Sequence, residues 1–139
     1  MMAPVDINYL AVLAAAIAAI VLGFLWYGPL FGKQWIKLMN FDKKKRSEMK
    51  NKGMGKTYVI MVVGTLVTSY VLAHFVDYLD ATNVAGALTA AFWIWLGFVA
   101  TVILGGVLWE GKPWKLYFLN AAYYLVNLAV MASILAVWA

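Results

Sequence analysis

The residues of this chain best suited to binding a polar group lie in its last apolar stretch. Asn120, Tyr124 and Asn127 are spaced so that a helix would place them near one face, and Tyr123 neighbours both asparagines. An asparagine in an apolar helix needs a hydrogen-bond partner, so it faces protein or a cavity. Two interpretations stay open: the lining of a small polar pocket or permeation path, and hydrogen bonding between helices. Hydroxyl groups on other apolar stretches are candidate partners: Thr65, Thr68, Ser69, Thr89 and Thr101.

A second group of ionisable residues ends another apolar stretch. His74 and Asp77 are three residues apart on one helical face, and Asp80 follows one turn later. Asp6 is expected at the same level. Such a group is able to hold a cation or a proton, whereas the simpler interpretation is a solvated helix end. The spacing has no metal-specific signature, so no metal site is predicted.

A helix break is predicted at Gly28 and Pro29. Pro29 has no backbone N–H and disfavours the helical conformation at Gly28. A broken helix is able to expose carbonyl groups to an ion. The simpler interpretation is a helix terminus within a belt of aromatic residues, which include Trp26 and Tyr27.

The motifs of common catalytic sites are absent from the sequence. It contains no cysteine, no His-Glu-x-x-His pattern, no phosphate-binding loop and no nucleophile beside a base. We therefore predict no catalytic residue and no cofactor, and we do not expect the chain to be an enzyme.

The surroundings of these residues indicate a membrane protein. Of 139 residues, 65% are hydrophobic and only 12% are charged, about half the charged fraction of a soluble domain. Four apolar stretches are each long enough to cross a bilayer as a helix, and they are too long and too continuous for the strands of a barrel. The predicted fold is an all-α integral membrane bundle of four transmembrane helices in a single membrane domain, 1–139. The predicted spans are about 9–31, 57–78, 84–109 and 116–139.

Basic residues indicate how the chain is threaded. Nine of the eleven Lys and Arg residues lie in the loop 33–56, and the other two are Lys112 and Lys115. The positive-inside rule then places both basic loops in the cytoplasm and both termini outside. We therefore expect a multi-pass protein of the bacterial inner (plasma) membrane with periplasmic termini. Because the basic residues lie between apolar spans, they do not predict a nucleic-acid partner.

The long basic loop is predicted to contain a short interfacial helix. Asp42 is a suitable N-cap, the following residues are basic, and Gly53 is a suitable stop. We expect this segment to contact anionic lipid headgroups. An alternative is an arm that binds an acidic partner.

Two parts of the sequence match each other and suggest a duplicated helical hairpin. The segment 23–28 (GFLWYG) matches 106–111 (GVLWEG), and a second match of Gly-Lys-x-Trp lies at 32–35 and at 111–114. Spans one and three also cross the membrane in the same direction, as in parallel repeats. The alternative is convergence, because Gly, Trp and Lys all favour the membrane boundary.

Three stretches carry a resemblance to a known family: INYLAVLAAAIAAIVLGFLWYGPLFGKQW, GMGKTY and GVLWEGKPWKLYFLNAAYYLVNLAVMASILAVW. They resemble a bacterial family of small membrane proteins known as domain of unknown function number seventeen sixty-one. The resemblance spans nearly the whole chain and implies a four-span fold. It implies no activity, substrate or catalytic residue.

These observations lead to two functional hypotheses. The first is a small transporter or channel-like protein for a small solute or ion, with Asn120, Tyr124 and Asn127 along its path. The alternative is a non-catalytic scaffold or accessory subunit of a membrane complex, with Trp93, Trp95 and the basic loop as contact surfaces. We also expect a homo-oligomer, because four helices bury little surface between themselves in lipid.

Overall fold

A computed structural model describes residues 7–39 and 54–138, and these residues are mainly helical. Within them lie six α-helices: α1 (Tyr9–Leu25), α2 (Gly32–Met39), α3 (Met54–Tyr78), α4 (Val84–Trp95), α5 (Gly105–Leu108) and α6 (Trp114–Val137). Two π-helical turns extend α1 and α4, at Trp26–Leu30 and Leu96–Ala100. The described part of the chain contains no strand.

Four of the helical segments are long and apolar enough to cross a membrane. They are Tyr9–Leu30, Gly55–Tyr78, Val84–Leu108 and Trp114–Val137. Their bounds lie within a few residues of the predicted spans. The prediction of an all-α, four-span, multi-pass membrane protein is therefore confirmed.

Helix α6 lies at the centre of the bundle. It packs against α4, α1 and α3, and α1 also packs against α3. The buried positions at these contacts are mostly alanines: Ala11, Ala15, Ala16, Ala19, Ala87, Ala90, Ala91, Ala121, Ala132 and Ala136. Small residues let helix backbones approach closely, and close van der Waals packing is what holds helices together in lipid.

The packing order differs from a simple sequence of neighbouring antiparallel helices. Helices joined by a short turn usually pack against each other, yet the described residues of α3 and α4 make few contacts with each other. Both helices pack against α6 instead, and a gap remains between α3 and the third span. This gap forms part of a cleft that is described below.

The two matched segments both end a span, but the packing around them is not two-fold symmetric. Gly28 has non-helical torsion angles (φ −109°, ψ −105°), and Gly111 is left-handed (φ +70°). However, α1 packs against both α3 and α6, whereas α4 packs mainly against α6. The duplication of a hairpin therefore stays a prediction.

The chain after the first span is helical earlier than the sequence suggested. Helix α2 begins at Gly32 and packs back against α6. The predicted interfacial helix between Asp42 and Gly53 lies outside the described residues. So does Asp6 of the predicted ionisable group.

Candidate functional site

The polar face of α6 runs from near its basic end to the middle of the bundle. Asn127 is 13 residues beyond Trp114, which places it about 20 Å along the helix. Asn120, Tyr123 and Asn127 are half-buried, and Tyr124 is more exposed. The rings of Tyr123 and Tyr124 are 5.4 Å apart. The four residues therefore form one continuous polar strip.

The first residue of this strip is bonded to the broken end of α1. The Tyr27 hydroxyl donates a hydrogen bond of 2.7 Å to Oδ1 of Asn120. Tyr27 also contacts the ring of Tyr123 (5.0 Å between centroids) and that of Trp35 (5.4 Å). Because the helix breaks at Gly28, α2 turns back onto α6 and closes this aromatic cluster.

A cleft at the basic end of the bundle exposes the first half of the strip. We call it the basic-end cleft; it has a volume of about 500 Å³ and lies between the segment 102–112 and α6. Asn120, Tyr117 and Tyr124 line it from α6. At its rim, Lys112 Nζ lies 3.4 Å from Glu110 Oε2, and both side chains are largely exposed. Such exposed ion pairs add little stability.

A second cleft exposes the other half of the strip. This middle cleft also has a volume of about 500 Å³, and its lining comes from α3 (Met61, Gly64, Thr65, Thr68), from the third span (Phe98, Val99, Ile103) and from α6 (Tyr123, Tyr124, Asn127, Leu128, Met131). Tyr124 and Ile103 line both clefts. The two clefts are therefore neighbours, and the polar strip runs from one to the other.

Asn127 differs from Asn120 in its hydrogen bonding. Its Oδ1 atom is buried and has no hydrogen-bond partner among the described residues. A buried acceptor without a partner costs about 1–3 kcal/mol, so such atoms are uncommon. Trp26 Nε1 is also buried without a partner in the described part of the chain.

The expected hydroxyl partners do not bond to the asparagines. Thr65 and Thr68 line the middle cleft, but their hydroxyls donate to the carbonyl groups of Met61 and Gly64 on their own helix. The hydroxyls of Thr89 and Thr101 likewise donate within their own helices. Ser69 is fully buried and donates to the carbonyl of Val12, which ties α3 to α1.

The structure describes three residues of the predicted ionisable group: His74, Asp77 and Asp80. His74 Nδ1 lies 2.9 Å from the carbonyl oxygen of Tyr70, and its ring lies between those of Tyr70 and Tyr78. Asp77 and Asp80 instead line a cavity of about 310 Å³ that does not include His74. Within 7–39 and 54–138, no three His, Cys, Asp or Glu residues lie close enough to hold a metal.

Several contacts that position the strip were missed by the sequence reasoning. Trp95 Nε1 donates to the carbonyl of Ala121, and the Tyr117 hydroxyl donates to that of Ala100, both at 2.8 Å. The acceptors are main-chain groups that every residue has, so no sequence signal identifies them. Trp95 is thus bonded within the bundle rather than presented to a partner, whereas Trp93 is 63% exposed.

Comparison with known proteins yields a family and no characterised relative. The family described as a protein of unknown function (DUF1761) matches residues 10–136. No curated protein matches the chain, and no solved structure matches it.

Proposed function

The chain belongs to the DUF1761 family of proteins of unknown function. From the geometry of its polar strip, we propose that it is a small membrane transporter or channel-like protein. In this proposal the solute is small and polar enough to form hydrogen bonds with the strip residues Asn120, Tyr124 and Asn127. The basic-end cleft opens to the cytoplasm in this proposal, which follows the positive-inside rule. The protein binds and moves its solute without changing it, so the proposal includes no catalysis.

The observation that supports the proposal best is that the polar strip is not sealed by packing. Asn120 and Tyr124 line one cleft, and Tyr124 and Asn127 line the next. If these residues served only to join helices, both amides would bond across an interface. Asn120 does so with Tyr27, but Asn127 Oδ1 has no partner in the described chain. A polar atom buried at this depth is costly and is typical of solute or ion pathways.

In this proposal the break in α1 is the part of the molecule that moves beside the strip. The π-helical turn Trp26–Leu30 and the non-helical Gly28 separate the straight part of α1 from α2. The hydrogen bond between Tyr27 and Asn120 joins this break to the strip. Discontinuous helices next to a binding site are typical of transporters. We propose that opening and closing of the Tyr27–Asn120 contact controls access from the basic end.

A reconstitution experiment tests the proposal. Purified protein in liposomes is assayed for flux of labelled cations and small uncharged solutes, and Asn127→Leu is compared with Thr89→Val. Thr89 is a polar residue of the third span that lines neither of the two clefts. We expect flux of at least one solute that Asn127→Leu reduces about tenfold, the equivalent of about 1.4 kcal/mol, and that Thr89→Val leaves unchanged. Absence of flux across the whole panel would contradict the proposal, as would equal flux in the two variants.

A further inference from the structure

The middle cleft has a chemistry that indicates what it binds. We infer that it holds a small uncharged molecule with an apolar body and a hydroxyl or N–H group at one end, bound with that donor at Asn127. The inference rests on the proposed function, because it names the class of solute for the same strip. It is drawn from the oxygen atoms, the charges and the apolar side chains that line the cleft.

Three residues that line the cleft, Thr65, Thr68 and Asn127, have side-chain oxygens with free capacity to accept hydrogen bonds. Asn127 Oδ1 is buried with no donor among the described residues. The hydroxyl protons of Thr65 and Thr68 are already donated to main-chain carbonyls at 2.8 and 3.0 Å. A hydroxyl oxygen that donates its proton still accepts through its lone pairs. The complementary ligand therefore donates hydrogen bonds.

The lining residues carry no charge, and this favours an uncharged ligand over an ion. The described lining of the middle cleft contains no Asp, Glu, Lys, Arg or His. An ion placed there would lose its hydration without gaining a counter-charge, which is unfavourable in a bilayer. An uncharged donor loses much less hydration free energy, and one or two hydrogen bonds to the protein offset that loss.

The remaining lining favours an apolar body. Phe98, Ile103, Leu128 and Met131 face the cleft from two sides. Its volume of about 500 Å³ lies within the range of small-molecule sites. A ligand of the size of a phenol or an indole would fill part of it and contact both walls.

Two other occupants of the cleft are a lipid acyl chain and a helix of a second copy of this chain. A lipid acyl chain fits the apolar walls but has no donor for Asn127. A helix of a second copy of this chain would be guided by packing rather than by one donor group. If either of them filled the cleft, the protein would not distinguish a small molecule that has a hydroxyl group from its methyl ether.

A pair of matched probes tests the inference by binding alone, without flux. Phenol donates a hydrogen bond, whereas its methyl ether anisole has a similar body and no O–H. Calorimetric titration into the detergent-solubilised protein, corrected with protein-free micelles, gives the saturable affinity of each probe. We expect the wild type to bind phenol about tenfold more tightly than anisole. Asn127→Leu should lose this preference, and Thr89→Val should keep it.

The outcomes separate this inference from the proposed function. Equal affinities of the wild type for phenol and anisole would overturn the inference, as would saturable binding of benzylammonium that is tighter than that of phenol. The inference would also be overturned if neither phenol nor anisole bound saturably. A phenol preference that depends on Asn127 supports the inference even if the liposome assay shows no flux. Flux of solutes without this preference would support the proposed function and reject the inference.

Discussion

Gly23 and Tyr123 determine how closely α1 and α6 approach beside the aromatic cluster. A Cβ carbon at position 23 would lie 3.0 Å from the hydroxyl oxygen of Tyr123. Alanine is favoured over glycine in a helix by about 1 kcal/mol, but overpacking of a close contact costs about 1–3 kcal/mol. We therefore expect Gly23→Ala to lower the free energy of unfolding by about 1 kcal/mol, measured by denaturation in mixed micelles.

Removal of the tyrosine oxygen should reverse the sign of this effect. In Tyr123→Phe the next atom near position 23 is the ring carbon Cζ at 3.8 Å, an ordinary contact. In that background Gly23→Ala should raise the free energy of unfolding by about 1 kcal/mol, as helix propensity alone would. Gly64→Ala is the matched control, because nothing lies within 4 Å of a Cβ carbon there. Equal stabilisation of the wild type by Gly23→Ala and by Gly64→Ala would contradict the close contact between position 23 and the Tyr123 hydroxyl.

The polar residues of α6 could be selected from the sequence, but their contacts could not. An amide in an apolar helix is conspicuous because lipid does not solvate it, so Asn120 and Asn127 could be selected from spacing alone. Tyr27 was part of a recognised aromatic stretch, yet its hydrogen bond to Asn120 depends on the direction that α1 takes after Gly28. That direction is a property of the packed bundle and not of the local sequence.

The turn after α3 gives Asp80 a structural role that its spacing did not predict. Asp80 has a positive φ of 55°. Its N–H donates to the carbonyl of Asp77, and the N–H of Ala81 donates to that of Val76, both at 3.0 Å. This is the Schellman arrangement that ends helices, and the apolar contact that accompanies it is supplied by the buried Val76 and Ala81. Glycine is the usual residue at this position.

Substitutions at Asp80 should therefore follow the backbone rather than the charge. We expect Asp80→Gly to be more stable than Asp80→Ala by about 1 kcal/mol, because only glycine adopts positive φ without a steric cost. Thermal or denaturant unfolding of the two variants in the same micelles measures the difference. Equal stabilities would refute the helix-ending role. A specific loss of cation binding in Asp80→Gly would instead return Asp80 to the ionisable group predicted from the sequence.

The four-span architecture followed from composition, whereas the arrangement of the spans did not. Long uncharged stretches have one stable solution in lipid, a helix, so spans such as 84–109 were located to within a few residues. Which helices pack together depends on where small residues meet. The alanines of α1, α4 and α6 let α1 and α4 each pack closely against α6, and a gap remains between α3 and the third span. The middle cleft is a consequence of that arrangement, and no motif in the sequence marks it.

The orientation of the whole molecule decides which cleft faces which compartment. The structure places Asn8 and Trp138 together through a hydrogen bond of 2.6 Å, and Asn8 lines a cavity with Asp77 and Thr82. These residues therefore lie at one end of the bundle, whereas Lys112 lies beside the basic-end cleft. Because all Lys and Arg residues belong to the basic loops, we propose that this second end is cytoplasmic.

Labelling of single cysteines tests this orientation directly, because the chain contains no cysteine of its own. Thr82 and Lys112 are both exposed, so Thr82→Cys and Lys112→Cys should be accessible without disturbing the core. With a membrane-impermeant maleimide, we expect Thr82→Cys to be labelled in intact cells and Lys112→Cys only after permeabilisation. Each variant is the control for the other, since both must react in detergent. The reverse pattern would place the basic-end cleft outside the cell, and a solute would then enter the strip first at Asn120 from that side.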